Sequence, residues 1–338
     1  MNRARPVEII GGGLAGLSLG LALRRRGVPV VLHERGAYPR HRVCGEFIRG
    51  LPPATIVELE LAPVLAAARP HRHIAWFWRD ENLRTQRLSA PAFAISRHTL
   101  DATLAENFQR AGGELHTASR IDPLAAEGRV LAHGRPTDPR SPWLGLKLHV
   151  RGLPLACGLE MHLGEHAYVG LCELPDGAVN ICGLFRRREL TRPAPELLGA
   201  YLEAAGLTTL ATRLAAATPV EGSHAAMAGL LFGRHASIAP SLGDALGMIP
   251  PFTGNGMAIA FESARLAADP LAAWAHGEGN WPAALGELQR RLARRFRTRL
   301  SAATACHPFL LRPEPQRWVA RAARHHALPL AALTRLLS

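Results

Sequence analysis

Gly11, Gly13 and Gly16 in "VEIIGGGLAGLSLGLALRRRGVPVVLHERG" stand at the GxGxxG spacing, and Glu34 follows Gly16 by 18 residues. Residues of these types at this spacing hold a dinucleotide. The first glycine permits a tight turn, the second admits backbone close to a pyrophosphate, and the third lets a helix sit against a strand. A helix opening at Leu14 and Ala15 turns its unpaired N–H groups toward the phosphates. A carboxylate at the end of the next strand accepts hydrogen bonds from ribose hydroxyls. The elements that must position them run strand, glycine turn, helix, strand; a glycine-rich turn of any α/β domain is the bland alternative.

More than two hundred residues on, "SIAPSLGDALGMIPPFTGNGMAIAFESARLAADPL" supplies what a nicotinamide site built on the first unit would not need. Gly243-Asp244 end a strand or turn, prolines and glycines bracket "PPFTGNG", and the apolar spacing predicts a helix over Met257 to Leu271. Asp244 suits a sugar-alcohol chain, and the N-terminus of that helix suits negative charge on the N1–C2 side of a reduced flavin. Both features favour FAD over NAD.

Composition bounds the rest. A chain of 338 residues with 48% hydrophobic content and mean hydropathy +0.02 is globular, large enough for two substructures, and without an apolar stretch that would cross a bilayer. Its start lacks the apolar region and cleavage site of a signal peptide, so a cytoplasmic location is expected. Five scattered cysteines (Cys44, Cys157, Cys172, Cys182 and Cys306) form neither a disulfide framework nor a zinc pattern, and no metal site is expected. Of 40 basic residues only Lys147 is a lysine. The net charge of +13 is spread along the chain and not interleaved with aromatics, which speaks against a nucleic-acid partner.

Four stretches taken together, "GGGLAG" with Glu34, "YPRHRVCGEFI", "ISRHTLDATLAENFQRAGGEL" and "GDALGMIPPFTGNGMAIAFESA", resemble the geranylgeranyl reductase-like flavoproteins. These fall within the FAD-dependent monooxygenase class, built on a glutathione-reductase-type FAD fold, and the resemblance covers about residues 6 to 275. It implies an α/β fold with a Rossmann-like FAD-binding domain at residues 1–75, 94–135 and 235–275. An antiparallel β-sheet substrate domain is inserted at 76–93 and 136–234, and a helical C-terminal cap covers 276–338. By the same resemblance Gly11, Gly13, Leu14, Ala15, Gly16, Glu34 and Arg35 hold the ADP half of FAD, with Arg42 on the loop that follows. Arg97 reaches the cofactor from a second helix, or is a surface arginine at a helix end. Gly243 and Asp244 meet the ribityl chain, while Pro251, Gly254, Asn255 and Gly256 run along the isoalloxazine edge. Cys44 and Gly45 come to the flavin on the arginine-rich loop. Cys44 is a proton donor or polar neighbour, a covalent attachment point, or a small buried residue, and Glu46 fixes the loop by hydrogen bonds.

Between the FAD segments, alternating strands with turns such as "LPDG" place Tyr168, Gly170, Cys172 and Asn180 near a substrate cavity, or in ordinary sheet packing. Trp76, Phe77, Trp78, Trp143 and Met161, with few carboxylates, suit an apolar substrate. Two departures stand out. His133 occupies the place of the Asp-Gly aspartate of the aromatic hydroxylases, which puts direct NADPH use in doubt, and "WFWRDE" lacks the flavin-halogenase signature. The expected function is reduction of a C=C bond in a prenyl or polyketide-like compound by flavin hydride transfer, with Cys44 and Tyr168 as catalytic candidates. The alternative is hydroxylation of an aromatic lipid or polyketide through a flavin C4a-hydroperoxide. Remaining partner expectations are NADPH or an electron-donor protein, and a peripheral membrane contact through the arginine-rich helix near Trp281 to Cys306, whose face of Leu285, Leu288, Leu292 and Phe296 otherwise packs on the domain.

Overall fold

The computed structural model describes residues 4–190, 192–235 and 239–325. The chain begins with β1 (Val7–Ile10), α1 (Leu14–Arg25) and β2 (Val30–His33). After β3 (Phe47–Ile48) and the short helices α2 (Pro53–Glu58) and α3 (Ala62–Ala66), it crosses into a long hairpin, β4 (Arg69–Trp78) and β5 (Glu81–Ala94). It returns through α4 (Arg97–Arg110), β6 (Glu114–His116) and β7 (Arg129–Leu131). Four longer strands follow: β8 (Trp143–Arg151), β9 (Leu159–Gly164), β10 (Ala167–Glu173) and β11 (Val179–Arg186). Then come α5 (Ala194–Ala204), α6 (Thr208–Ala215), β12 (Thr218–Pro219), β13 (Ala225–Ala228), β14 (Gly233–Arg234) and β15 (Gly247–Met248). The chain closes with α7 (Gly256–Ala275), α8 (Trp281–Leu311) and α9 (Pro313–Arg324).

The first sheet is parallel, in the order β6-β2-β1-β7. Residues 240–242 extend it beyond β7, since the Leu131 N–H donates to Pro240 O at 2.8 Å and the Leu242 N–H to Leu131 O at 2.9 Å. Strands of a parallel sheet are covered on both faces, which is why "VEII" and "VVLH" are nearly uninterrupted apolar runs. Helix α1 is buried from Leu14 to Leu23 because it lies between the sheet and helices α4 and α7. Where it meets α4, Gly20 packs on Phe108, whose ring leaves only 2.7 Å to where a Cβ would stand. With every strand pointing the same way, Gly11, Glu34, Ala132 and Gly243 all fall at the carboxyl edge of the sheet.

The second sheet has the order β12-β8-β11-β10-β9-β4-β5-β3, with β13 also paired to β8. It is mixed and not purely antiparallel, as β4 and β9 run parallel. It also begins earlier than the sequence suggests: β4 starts at Arg69, so residues 69–75, expected in the cofactor domain, belong to this sheet. Alternation sorts its faces. Leu146, Leu148, Val169 and Ile181 pack beneath α5 and α6, whereas Lys147, His149, Asn180, Cys182, Tyr168 and Cys172 occupy the face toward the parallel-sheet unit.

Helix α8 covers α7 through Leu288, Leu292, Phe296 and Leu300, with Leu285 only half-buried. Glu262 of α7, wholly buried, accepts hydrogen bonds from Arg295 at 2.5 Å and Arg299 at 3.0 Å. Helix α9 lies against β5, where Arg324 pairs with Glu81, and Gln316 donates to Gly164 O at 2.7 Å. The end of α8 instead meets the second sheet at Tyr168, whose hydroxyl is 3.2 Å from His307 Nε2. The expected cap residues 326–338 lie outside the described residues. Removing a carboxylate on which two arginines converge destabilises a buried ionic contact by about 3–5 kcal/mol. Glu262→Ala is expected to lower the urea midpoint accordingly, with Glu262→Gln costing less, and equal midpoints for all three chains would contradict this.

Candidate functional site

A cleft of about 440 Å³ follows the carboxyl edge of the parallel sheet, from Glu34 and Arg35 at one end to Asp244 and Gly256 at the other. Gly11 makes the turn out of β1 with φ +115°, a conformation L side chains rarely adopt, and a Cβ there would overlap Ala132. Gly13 has nothing within 4 Å of its Cβ position, so the space beside it is open for a ligand. Gly16 packs beneath the turn against Gly11 O and does not line the cleft. Two helices present N-termini here, and neither N-cap, Gly13 of α1 or Asn255 of α7, makes a side-chain capping bond. Their unsatisfied N–H groups favour negative charge.

Charge at the outer end is organised by Glu34. Its buried carboxylate accepts from the Gly12 and Gly36 N–H groups, both at 2.9 Å, and from Arg40 at 2.5 Å, with Arg42 at 3.4 Å. Burial alone would raise its pKa, but Arg42, the Gly36 N–H and Arg40 hold it below the usual carboxylate range. Tyr38 closes over the turn, donating to Gly12 O at 2.5 Å. Arg97 is buried and not a surface arginine: its guanidinium forks onto Asp101 at 2.7 and 2.8 Å while lining the cleft. Arg42 meets the same carboxylate at 2.8 Å. Asp244 pairs with Arg135 at 3.2 Å.

A second, smaller cavity of about 100 Å³ lies between the cleft and the second sheet. Val43, Cys44, Arg135, Asp244, Gly256 and Met257 border both spaces. Its inner wall is apolar, with Met161, Leu184, Met248 and Ile249. Gly45, Tyr168, Gly170, Pro251 and Gly254 also line it. Gly254, at φ +68°, turns toward the Phe47 ring with no room for a Cβ. Asn255 is buried and its side chain is turned to Gly50, away from the cavity wall. Cys172 and Asn180 lie on the same face of the sheet but support the loop: Asn180 Nδ2 donates to Cys44 O at 3.0 Å.

Of the catalytic candidates, Cys44 is half-buried against both cavities, with the Glu46 N–H 3.4 Å from its sulfur. Tyr168 is buried, its hydroxyl 3.2 Å from His307 Nε2 of α8, and burial raises its pKa well above 10. His307 was not legible in the sequence as a site residue. It sits among Trp143, Phe232 and Phe252, and burial pushes its pKa down to about 4.

Nor did the sequence announce the cluster around Glu46. This carboxylate is fully buried on a residue at φ +58° and accepts from His149 Nε2 at 2.5 Å and the Arg97 N–H at 2.9 Å. Lys147 Nζ is 3.7 Å from it and 2.8 Å from His41 Nδ1. His41, Glu46 and His149 offer ligand atoms within 4.8 Å of one another, but the Lys147 ammonium already stands in contact with two of the three. The available signal was the solitary lysine on a core-facing strand position.

No protein-family profile matches the chain. A methylenetetrahydrofolate–tRNA-(uracil-5-)-methyltransferase, TrmFO, of Myxococcus xanthus (strain DK1622) is 29% identical over 147 residues, 38% of this chain and 29% of the relative. The chain thus spans less than a third of that curated relative. Among solved structures, pqsL of Pseudomonas aeruginosa, described as a probable FAD-dependent monooxygenase, superposes with TM-score 0.70 at 20% identity, over 94% of this chain and 99% of that one. A geranylgeranyl bacteriochlorophyll reductase-like protein of Thermoplasma acidophilum gives 0.75 at 14% identity, covering 98% and 96%. The likeness establishes a shared fold along nearly the whole chain.

The buried imidazole of His307 carries a pH consequence. The unfolded chain protonates this histidine near 6.5 and the folded one only near 4, so the unfolded state holds more protons in that window. Stability is full above pH 6.5 and is lost as pH falls toward 4, by about 3 kcal/mol from this residue. Denaturation midpoints at pH 7.5 and 4.5 are expected to differ by less in His307→Gln than in the unsubstituted chain, and an unaltered difference would refute the assignment.

Proposed function

We propose that the protein is an FAD-dependent oxidoreductase that reduces a C=C bond in an apolar, prenyl or polyketide-like molecule. The observation that carries this reading is the apolar-walled cavity that adjoins the long cleft between Cys44 and the Gly254–Met257 turn. Bound FAD would supply a ring that exchanges a hydride with substrate.

The residues fit that group. Open space at Gly13 and the uncapped start of α1 suit the pyrophosphate, Glu34 and Arg35 the adenosine end, and Asp244 the ribityl chain. The uncapped start of α7 suits the electron-rich pyrimidine edge of the ring. Cys44 and Gly45 would then face the ring from one side, with the sheet residues Met161, Tyr168 and Gly170 across the substrate space. Water is excluded by the apolar wall, and few polar groups would orient a substrate held mainly by shape. Tyr168 stays neutral, so its hydroxyl acts as a hydrogen-bonding group beside His307 Nε2.

The likeness to the Pseudomonas aeruginosa protein supports a second reading, hydroxylation of an aromatic lipid or polyketide with the same cofactor residues. Photoreduced protein mixed with oxygenated buffer separates the two: direct reoxidation supports the reductase, and a transient adduct band supports the monooxygenase. For cofactor binding, Gly13→Val fills the open space at a residue whose φ of −87° suits valine. FAD affinity, read by flavin fluorescence, is expected to fall on the order of tenfold or more, about 1.4 kcal/mol, with thermal stability kept. Equal affinity would refute the placement of the pyrophosphate.

A further inference from the structure

The buried polar cluster does more than hold the loop. His41 lines the cofactor cleft and Glu46 lines the inner cavity, and between them stands Lys147, 2.8 Å from His41 Nδ1 and 3.7 Å from Glu46 Oε1. His149 Nε2 meets the other oxygen of Glu46 at 2.5 Å. Resting on the oxidoreductase reading above, we propose that His41, Lys147, Glu46 and His149 form the proton path of the site, entered at His41 and opening on the inner cavity at Glu46.

Three observations carry it. The path is continuous in exchangeable groups apart from the gap at Lys147, which an ammonium on a four-carbon stem spans by a small swing. Its ends lie in different cavities while its middle is buried, Lys147 being 2% exposed. The charges are balanced in place: burial lowers the Lys147 pKa against the pull of Glu46, and Glu46, which burial would raise, is held down by the His149 hydrogen bond and by Lys147. His41 is pushed down to about 4 by burial and by Lys147, so it accepts from the ammonium as neutral imidazole.

The remaining groups around the cluster do not compete for the proton. His98 of α4 stacks on His41 at 4.6 Å and His149 crosses it edge-on at 5.0 Å. The Arg97 guanidinium is committed to Asp101. Cys172 and Cys182, on β10 and β11, are held protonated by burial, Cys182 up to about 12. Cys44 completes the surround on the loop.

In one transfer a proton passes from Lys147 Nζ to Glu46 and on to the acceptor in the inner cavity; His41 exchanges through cleft water to its Nδ1–H tautomer, gives that proton to the amine so formed, and takes one at Nε2 from hydronium or a buffer acid in the cleft. Lys147, Glu46 and His41 so regain their starting charges, and the electrons of the redox step come from an external two-electron donor. Oxidation of the reduced site sends one proton back along the same path.

The experiment uses full-length protein loaded with FAD, photoreduced, desalted and mixed with ferricyanide, which takes electrons but no proton, in weak buffer with phenol red. Flavin oxidation and proton release are then read separately. In the unsubstituted protein release is expected to keep pace with oxidation. His41→Gly, at the half-exposed entrance, is expected to slow release on the order of a hundredfold relative to flavin oxidation read in the same flavin-loaded sample, and added imidazole to restore the ratio. Lys147→Arg keeps the charge but not the exchangeable proton, and is expected to slow release without rescue by imidazole. Release from His41→Gly as fast as from the parent, or slow release that imidazole leaves unchanged, overturns the path. A chain that takes up no FAD overturns the oxidoreductase reading itself, which the absorbance spectrum shows before any mixing.

Discussion

Everything about the site depends on one buried carboxylate. Glu46 belongs to the loop that leaves the parallel sheet, yet its partners come from elsewhere: the Arg97 N–H at the start of α4, and His149 and Lys147 on β8. A buried carboxylate without such partners would be protonated or expelled. With them it binds three segments to one point, and its backbone joins in, since the Ile95 N–H donates to Glu46 O at 2.9 Å. Cys44 and Gly45 are therefore placed against the cavities by a contact made at the residue that follows them. The positive φ of Glu46 follows from the same demand, because the carboxylate must turn inward while the chain continues outward into β3.

The rest of the electrostatics is arranged around two open helix starts. A chain with a large excess of arginine could fill a cleft with uncommitted cations. Instead Arg40 and Arg42 engage Glu34, Arg42 and Arg97 converge on Asp101, and Arg135 meets Asp244. The pairs leave the cleft polar and modestly positive, while backbone N–H groups in the first turns of α1 and α7 supply donors that cost no side-chain ordering. A long anionic ligand of mixed character suits such a surface better than a polyanion does.

The parallel-sheet unit was legible because its signals are local. A glycine turn, a strand-ending acid and a proline-glycine bracket before a helix each constrain backbone within a few residues, and the structure brings Gly11, Glu34, Asp244 and Gly256 to one cleft across more than two hundred residues of chain. Boundaries failed where tertiary pairing decides. Nothing local distinguishes Arg69 from Trp76 as the start of β4, whose length is set by its partners β5 and β9. Asn255 misled because a residue inside a cavity-forming turn need not aim its side chain at the cavity. His307 was hidden more deeply: its meaning comes from Tyr168, 139 residues away in sequence.

Lys147 illustrates a signal read only as composition. Thirty-nine arginines and one lysine make the lysine look like a remnant of coding bias. Yet it is the sole basic side chain among the described residues that the fold buries on the cavity face of the second sheet and sets between two titratable groups. Arginine there would bring a planar fork that stays charged across the accessible pH range, whereas a lysine ammonium desolvated by burial can give up its proton and take it back. A buried cation needed only for charge would be served by either residue. The choice of lysine in a chain that otherwise uses arginine at every other basic position is what a site handling protons requires.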